Sequence, residues 1–158
     1  MAADTYAVER SVTIDAPPER VYDQIADFRR WPGWSPWEDV DPQLQRTYSG
    51  AESGTGATYA WSGNRRAGQG RMHIVEATRP SKVRIDLFFE KPWKAHNDTV
   101  FTIVPTDSGS RVTWWMSGKQ TLMTKVMGIF KSMEDFLGPD FERGLAQLKT
   151  TAEKSGHH

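Results

Sequence analysis

The chain predicts an α+β fold in which one long C-terminal helix shares a core with an antiparallel sheet. Near the C-terminus, Phe130, Met133, Leu137, Phe141, Leu145, Leu148 and Ala152 recur every three or four residues, the spacing of one helical face. Upstream, from Gln45 to Lys119, the pattern is instead a set of period-two segments separated by turn residues. Ahead of both, a strand pattern leads into a short helix, so the order is strand, helix, several strands, helix. A sheet wrapped around one helix is a natural container, and no stretch of the chain spells out a catalytic motif.

From Tyr6 to Asp15, Val8, Val12 and Ile14 alternate with Glu9, Ser11 and Thr13, the pattern of a half-buried strand. It ends at Ala16-Pro17-Pro18, where prolines suit a first helical turn, and Val21, Ile25 and Phe28 then repeat at helical spacing. Between Arg29 and Pro42 the prolines Pro32, Pro36 and Pro42 argue against a regular element, so Trp31, Trp34 and Trp37 are expected on an irregular segment, the lid or wall of a pocket. Strands are then predicted over Leu44 to Tyr48, Ala57 to Ser62, Gly70 to Ala77, Lys82 to Glu90, His96 to Val104 and Ser110 to Gly118. Turn signals such as Ser49-Gly50, Gly63-Asn64 and Arg79-Pro80-Ser81 separate them. Val83, Ile85, Leu87 and Phe89 set against Lys82, Arg84, Asp86 and Glu90 give the cleanest division into a dry and a wet face. After Gly118 the pattern turns helical through Leu122, Val126, Met127, Ile129 and Phe130. Gly138-Pro139 predicts a kink or short break, because Pro139 removes a bond to the carbonyl of Asp135.

The length, 158 residues, suits one domain spanning residues 1–158, with frayed ends at 1–5 and 155–158 and His157-His158 read as an affinity-tag remnant. Twenty basic and twenty acidic residues are interspersed, which removes the electrostatic footprint of a nucleic-acid binder. There is no cysteine, and so no disulfide framework, thiolate nucleophile or thiolate metal site. With no signal-peptide pattern and no integral membrane segment in view, a soluble cytoplasmic protein is expected. Seven tryptophans are the outlier. Burying one such ring removes roughly 150–250 Å² from water, so rings of this size fill a core or line a cavity.

Gly54-Thr55-Gly56 and Gly68-Gln69-Gly70 lack the spacing and the following helix of a phosphate loop and read as turns or bulges. His73 and His96 have no second ligand at helical or hairpin spacing, so neither a metal nor a cofactor is expected. No Gly-x-Ser-x-Gly occurs, and no catalytic residue is assigned. Asn97 and Thr99 share the parity of Phe101 and Ile103, which points two polar side chains inward; buried polar groups need partners, either protein, water or a ligand. Tyr59 and Trp61 share a parity on their own strand and offer a phenol and an indole N–H in the same way. Met72, Met116, Met123, Met127 and Met133 fall near inward positions, as adaptable filler of core or cavity.

Several strings resemble the polyketide cyclase/dehydrase-like branch of the START-like ligand-binding superfamily, also called SRPBCC, which includes the major birch pollen allergen. They are the segment from Val12 to Tyr22, Trp34-Ser35-Pro36-Trp37, Gly56 to Trp61, Arg111-Val112-Thr113-Trp114, and Gly138 to Leu145. The resemblance implies a helix-grip fold: a curved seven-stranded antiparallel sheet, two short helices after the first strand, and a long C-terminal helix across the sheet over an apolar cavity. It further implies a lining drawn from Trp34, Trp37, Trp61, Met72, Ile85, Leu87, Phe101, Trp114, Met116, Met127, Phe130 and Met133.

The function expected is binding of a hydrophobic small molecule, such as a lipid, quinone or polyketide-like compound, by a carrier or sensor. Asn97, Thr99 and Tyr59 supply specificity in that reading. Two alternatives stay open: a cyclase, aromatase or dehydratase acting on a polyketide-like substrate, and a protein-interaction module using Trp115 and Trp93. The chain is expected to be a monomer or homodimer.

Overall fold

The computed structural model describes residues 5–35, 43–64, 68–91, 94–119 and 133–154. Trp37, Trp93, Met123, Met127 and Phe130 lie outside the described residues, as does the helical pattern from Leu122 to Phe130. Met133 opens the C-terminal helix, with its side chain outside them as well.

Seven strands form one antiparallel sheet: β1 (Thr5–Ile14), β2 (Gln45–Gly50), β3 (Ala57–Ser62), β4 (Gln69–Thr78), β5 (Lys82–Lys91), β6 (Ala95–Pro105) and β7 (Ser110–Lys119). Their order is β1-β7-β6-β5-β4-β3-β2, so the first strand pairs with the last and every other neighbour is consecutive in sequence. With α1 (Pro18–Ala26), a short 3-10 helix (Phe28–Gly33) and the long helix α2 (Met133–Lys154), the arrangement is a helix-grip α+β fold. Every strand predicted by alternation is present, with small shifts such as Leu44–Tyr48 against the observed Gln45–Gly50. No helix of the described residues is long and apolar enough to cross a membrane.

Helix α1 begins with Pro18 in its first turn and buries Val21, Tyr22 and Ile25. Its C-terminal carbonyls, left without helical partners, are taken up from the core. The Trp34 indole Nε1–H donates to the carbonyl of Gln24 (3.0 Å), that of Trp31 donates to Ile25 (2.9 Å), and the backbone N–H of Gly54 donates to Ala26 (2.9 Å). This corrects the expectation of an irregular stretch there. Phe28–Gly33 is a regular 3-10 helix with Pro32 inside, started by the Asp27 side chain accepting from the Arg29 N–H (3.0 Å). Pro32, fifth of the six residues, gives up one i→i−3 bond, to the Arg29 carbonyl, while its fixed φ suits the 3-10 backbone. Trp31 and Trp34 are buried and seal the end of α1.

Helix α2 buries Phe141, Leu145, Leu148 and Ala152, the predicted stripe, with Leu137 half-buried beside them. It runs through Gly138-Pro139 as one helix, so of the kink or short break expected there the break does not occur. Apolar anchors on both sides, Leu137 and Phe141, keep the turns in phase against the sheet at the loss of one backbone bond. Polar contacts fasten α2 at its middle and at its C-terminal end. Arg10 Nε donates to Glu142 (2.9 Å), the Asp15 N–H donates to Glu153 (2.8 Å), and Thr151 Oγ1 donates to the Gly33 carbonyl (3.0 Å).

Candidate functional site

Cross-strand partners share one face of a sheet, so the ladder registers place the inner face in rows. One row reads Trp61, Gly70, Phe89 across β3, β4 and β5. The next reads Tyr59, Met72, Leu87, Asn97, Gly118 and Tyr6 from β3 to β1. A third reads Ile74, Ile85, Thr99, Met116 and Val8, and a fourth Val83, Phe101, Trp114 and Arg10. Trp34, packed against Phe101 and Trp114, completes the set. The structure therefore gathers on one side of the sheet Trp34, Tyr59, Trp61, Met72, Ile85, Leu87, Asn97, Thr99, Phe101, Trp114 and Met116. His73 and His96 stand on the other side, where His73 shares a hydrogen bond with Thr58 Oγ1 (2.8 Å) and His96 with Asp86 (3.3 Å).

The two ends of this face differ. Toward α1 and α2 the rings close on one another. Trp114 stacks on Phe141 with centroids 4.1 Å apart and planes 4° from parallel, Phe101 lies 4.9 Å from Trp114, and Trp34 meets both edge-on at 5.8 Å. From Trp34 the contacts pass through Trp31 (4.6 Å), Phe28 (5.3 Å) and Tyr59 (5.8 Å) to Trp61 (6.1 Å) and Phe89 (5.6 Å). Trp34, Phe101, Trp114 and Phe141 are buried; Trp61, Met72 and Phe89, at the far end, are only half-buried. Gly70 makes room there, since a Cβ on it would come within 2.7 Å of the Trp61 ring and 2.3 Å of the Phe88 carbonyl.

Polar groups are few on these rows. Tyr6 donates its phenol O–H to Asn97 Oδ1 at 2.8 Å, and burial pushes that phenol up to about 12. The pair sits over Gly118, where a Cβ would fall 2.3 Å from Asn97 Oδ1 and 3.1 Å from the Tyr6 oxygen. Thr99 Oγ1 is buried and has no hydrogen-bond partner among the described residues. Arg10, on the fourth row, is engaged by Glu142 and by the Glu9 carbonyl (2.7 Å). The rows carry no carboxylate and no imidazole, and no cluster of three His, Cys, Asp or Glu residues suited to a metal occurs among the described residues.

Sequence reasoning missed Tyr6, Phe89 and the two row glycines, Gly70 and Gly118. Tyr6 has the parity of Val8, and Phe89 that of Leu87, so the alternation that found the strands contained both. Gly118 reads in sequence as the end of a strand, and only the register shows what occupies the space above it.

A family model described as polyketide cyclase / dehydrase and lipid transport matches residues 5–153. Among solved structures the chain is similar to a protein of unknown function from Staphylococcus aureus, with a TM-score of 0.70 at 12% identity over 98% of this chain and 97% of that one. It is similar also to a protein from Thermus thermophilus, TTHA0849, with a TM-score of 0.68 at 16% identity over 96% of this chain and 99% of that one. A third is Aha1 from Colwellia psychrerythraea, solved as a dimer in solution, with a TM-score of 0.63 at 15% identity over 96% and 98% of the two chains. At these identities the likeness is one of fold. No curated protein matches the chain.

Proposed function

The chain belongs to the polyketide cyclase/dehydrase and lipid transport family, and from that footing we propose that it binds a hydrophobic small molecule against the inner face of its sheet, as a carrier or sensor. The observation that carries this reading is the half-buried apolar end of the face, where Trp61, Met72 and Phe89 stand beside Leu87. Half-buried rings leave apolar surface for a guest to cover, in contrast to the closed packing around Trp114. Aromatic rings and a methionine supply broad, adaptable contact for a flat or elongated guest, which is the usual composition of a small-molecule site. The lining proposed is the set that the registers gather, joined by Trp37, Met127, Phe130 and Met133.

The chemistry of the rows supports binding over turnover. Cyclisation or dehydration needs an inward acid or base with a pKa near the working pH. Tyr6, on these rows, has a shifted pKa, and the shift takes it away from neutrality.

Thermal unfolding with a panel of quinones, flavonoids, sterols and fatty acids tests the proposal. A guest at a hundred times its Kd stabilises the fold by about 2.7 kcal/mol, which raises the Tm by roughly 5–10 °C for a chain of this size. A panel that moves neither the Tm nor the tryptophan emission refutes it.

A further inference from the structure

We propose that Thr99 and Asn97, with Tyr6 holding Asn97 in place, form the polar end of the hydrophobic site and select guests bearing a neutral oxygen acceptor, such as a ketone or quinone carbonyl, over guests ending in a carboxylate. The assignment rests on the hydrophobic-guest reading above and gives that guest its chemical class.

The argument begins with the alternation of β6. Asn97, Thr99, Phe101 and Ile103 all face inward and all are buried. Phe101 and Ile103 continue the core, so the polar pair interrupts a face that apolar residues would fill at no desolvation cost. Thr99 is 3% exposed, and its partners across the ladder are Ile85 and Met116, whose side chains offer its hydroxyl no N–H or oxygen. Its Oγ1 has no partner among the described residues, a state rare for a buried hydroxyl unless something else completes it.

Asn97 stands two residues away on the same strand and face, about 7 Å along it. Its Oδ1 accepts from Tyr6, which leaves the Nδ2 amine as the end with hydrogen-bonding capacity to give. Gly118 provides the space that lets this pair sit flat on β7. The amide is thus held with its donors available, next to a hydroxyl that donates as readily. Two neutral donors along one strand, set in a surround of methionine and aliphatic carbon, match the lone pairs of a carbonyl or ether oxygen.

They do not match a carboxylate. Among the described residues the cations at this face are Arg10, already engaged by Glu142, Arg46, which pairs with Trp61 at the β2 edge, and Arg29, which lies 4.9 Å over the ring of Tyr48 on that same edge strand. Arg46 is four strands from Asn97, roughly 19 Å along the sheet. The burial that disfavours the Tyr6 phenolate disfavours any other anion seated beside it.

Calorimetric titration of the intact chain with three probes of one size, acetylnaphthalene, isopropylnaphthalene and naphthoate at neutral pH, tests the assignment. The ketone binds more tightly than naphthoate. In Thr99→Val, which keeps the volume and removes the hydroxyl, the ketone-to-hydrocarbon affinity ratio falls about tenfold, the worth of one hydrogen bond, and Thr99→Ser restores most of it. A ratio unchanged within twofold in Thr99→Val, or naphthoate binding more tightly than the ketone, overturns this assignment and leaves the hydrophobic site standing. Binding of none of the three overturns this assignment, and if the panel above also leaves the Tm and the tryptophan emission unmoved, the hydrophobic-site reading falls with it.

Discussion

Replacing Gly118 by alanine isolates the arrangement on which the polar end depends. Gly118 does not have the positive φ of Gly50, Gly54, Gly56 and Gly68, so alanine is compatible with its backbone and on conformational grounds gains about 0.5–1 kcal/mol in a strand. The new methyl group, however, would lie 2.3 Å from Asn97 Oδ1, 3.2 Å from its Cγ and 3.1 Å from the Tyr6 oxygen. Those atoms cannot both swing aside and keep their 2.8 Å bond. Overpacking of about 1–3 kcal/mol and a lost hydrogen bond of about 1 kcal/mol outweigh the backbone gain, for a net loss of about 2 kcal/mol. In an Asn97→Ala background the space is vacated, and Gly118→Ala becomes neutral or slightly stabilising. Urea unfolding of the four proteins followed by circular dichroism gives the coupling directly, expected at about 2 kcal/mol. An equal cost of Gly118→Ala in both backgrounds, with coupling under about 0.5 kcal/mol, refutes the reasoning.

Trp34→Phe removes the indole N–H that satisfies the Gln24 carbonyl and is expected to cost about 2–3 kcal/mol in chemical denaturation, more than a loss of ring area alone. Phe141→Ala takes away the ring stacked on Trp114 at 4.1 Å and leaves a cavity between α2 and the sheet, with an expected loss of about 3–5 kcal/mol and altered near-ultraviolet dichroism. Stability should fall at alkaline pH through Tyr6. Its folded pKa, about 12, lies above the unfolded value of 10.0, so the contribution is complete below pH 10 and is lost as the pH rises from 10 toward 12. Tyr6→Phe abolishes that step in a pH series of melts; a step of undiminished size in the variant contradicts the assignment.

Most of the architecture was legible because period two and period 3.6 are direct consequences of which side of an element is wet. Val83, Ile85, Leu87 and Phe89 could serve no other arrangement, and Phe141 to Ala152 mark a helix whatever it packs on. The inward direction of Asn97 and Thr99 followed from the same parity. What was illegible depends on tertiary partners. Nothing local distinguishes Trp31 and Trp34 as caps for α1 from rings lining a lid, because the carbonyls they bond are six and ten residues earlier in the chain. Pro32 and Pro139 read as breakers, yet the fixed φ of proline fits a 3-10 turn at the loss of one bond, and α2 is held by its buried stripe. Gly118 looked like punctuation because an empty position reveals its purpose only through the neighbours that fill it.

Three of the indoles in the file of rings from Phe141 to Phe89 are close enough to share their light. With Trp31 and Trp34 at 4.6 Å and Trp34 and Trp114 at 5.8 Å, excitation absorbed by one indole migrates to the others before it is emitted. Trp61 joins that group through Phe28 and Tyr59, whose excited states lie above an indole's and do not relay its energy, so a quencher arriving there darkens one lamp and leaves the buried group lit as an internal reference.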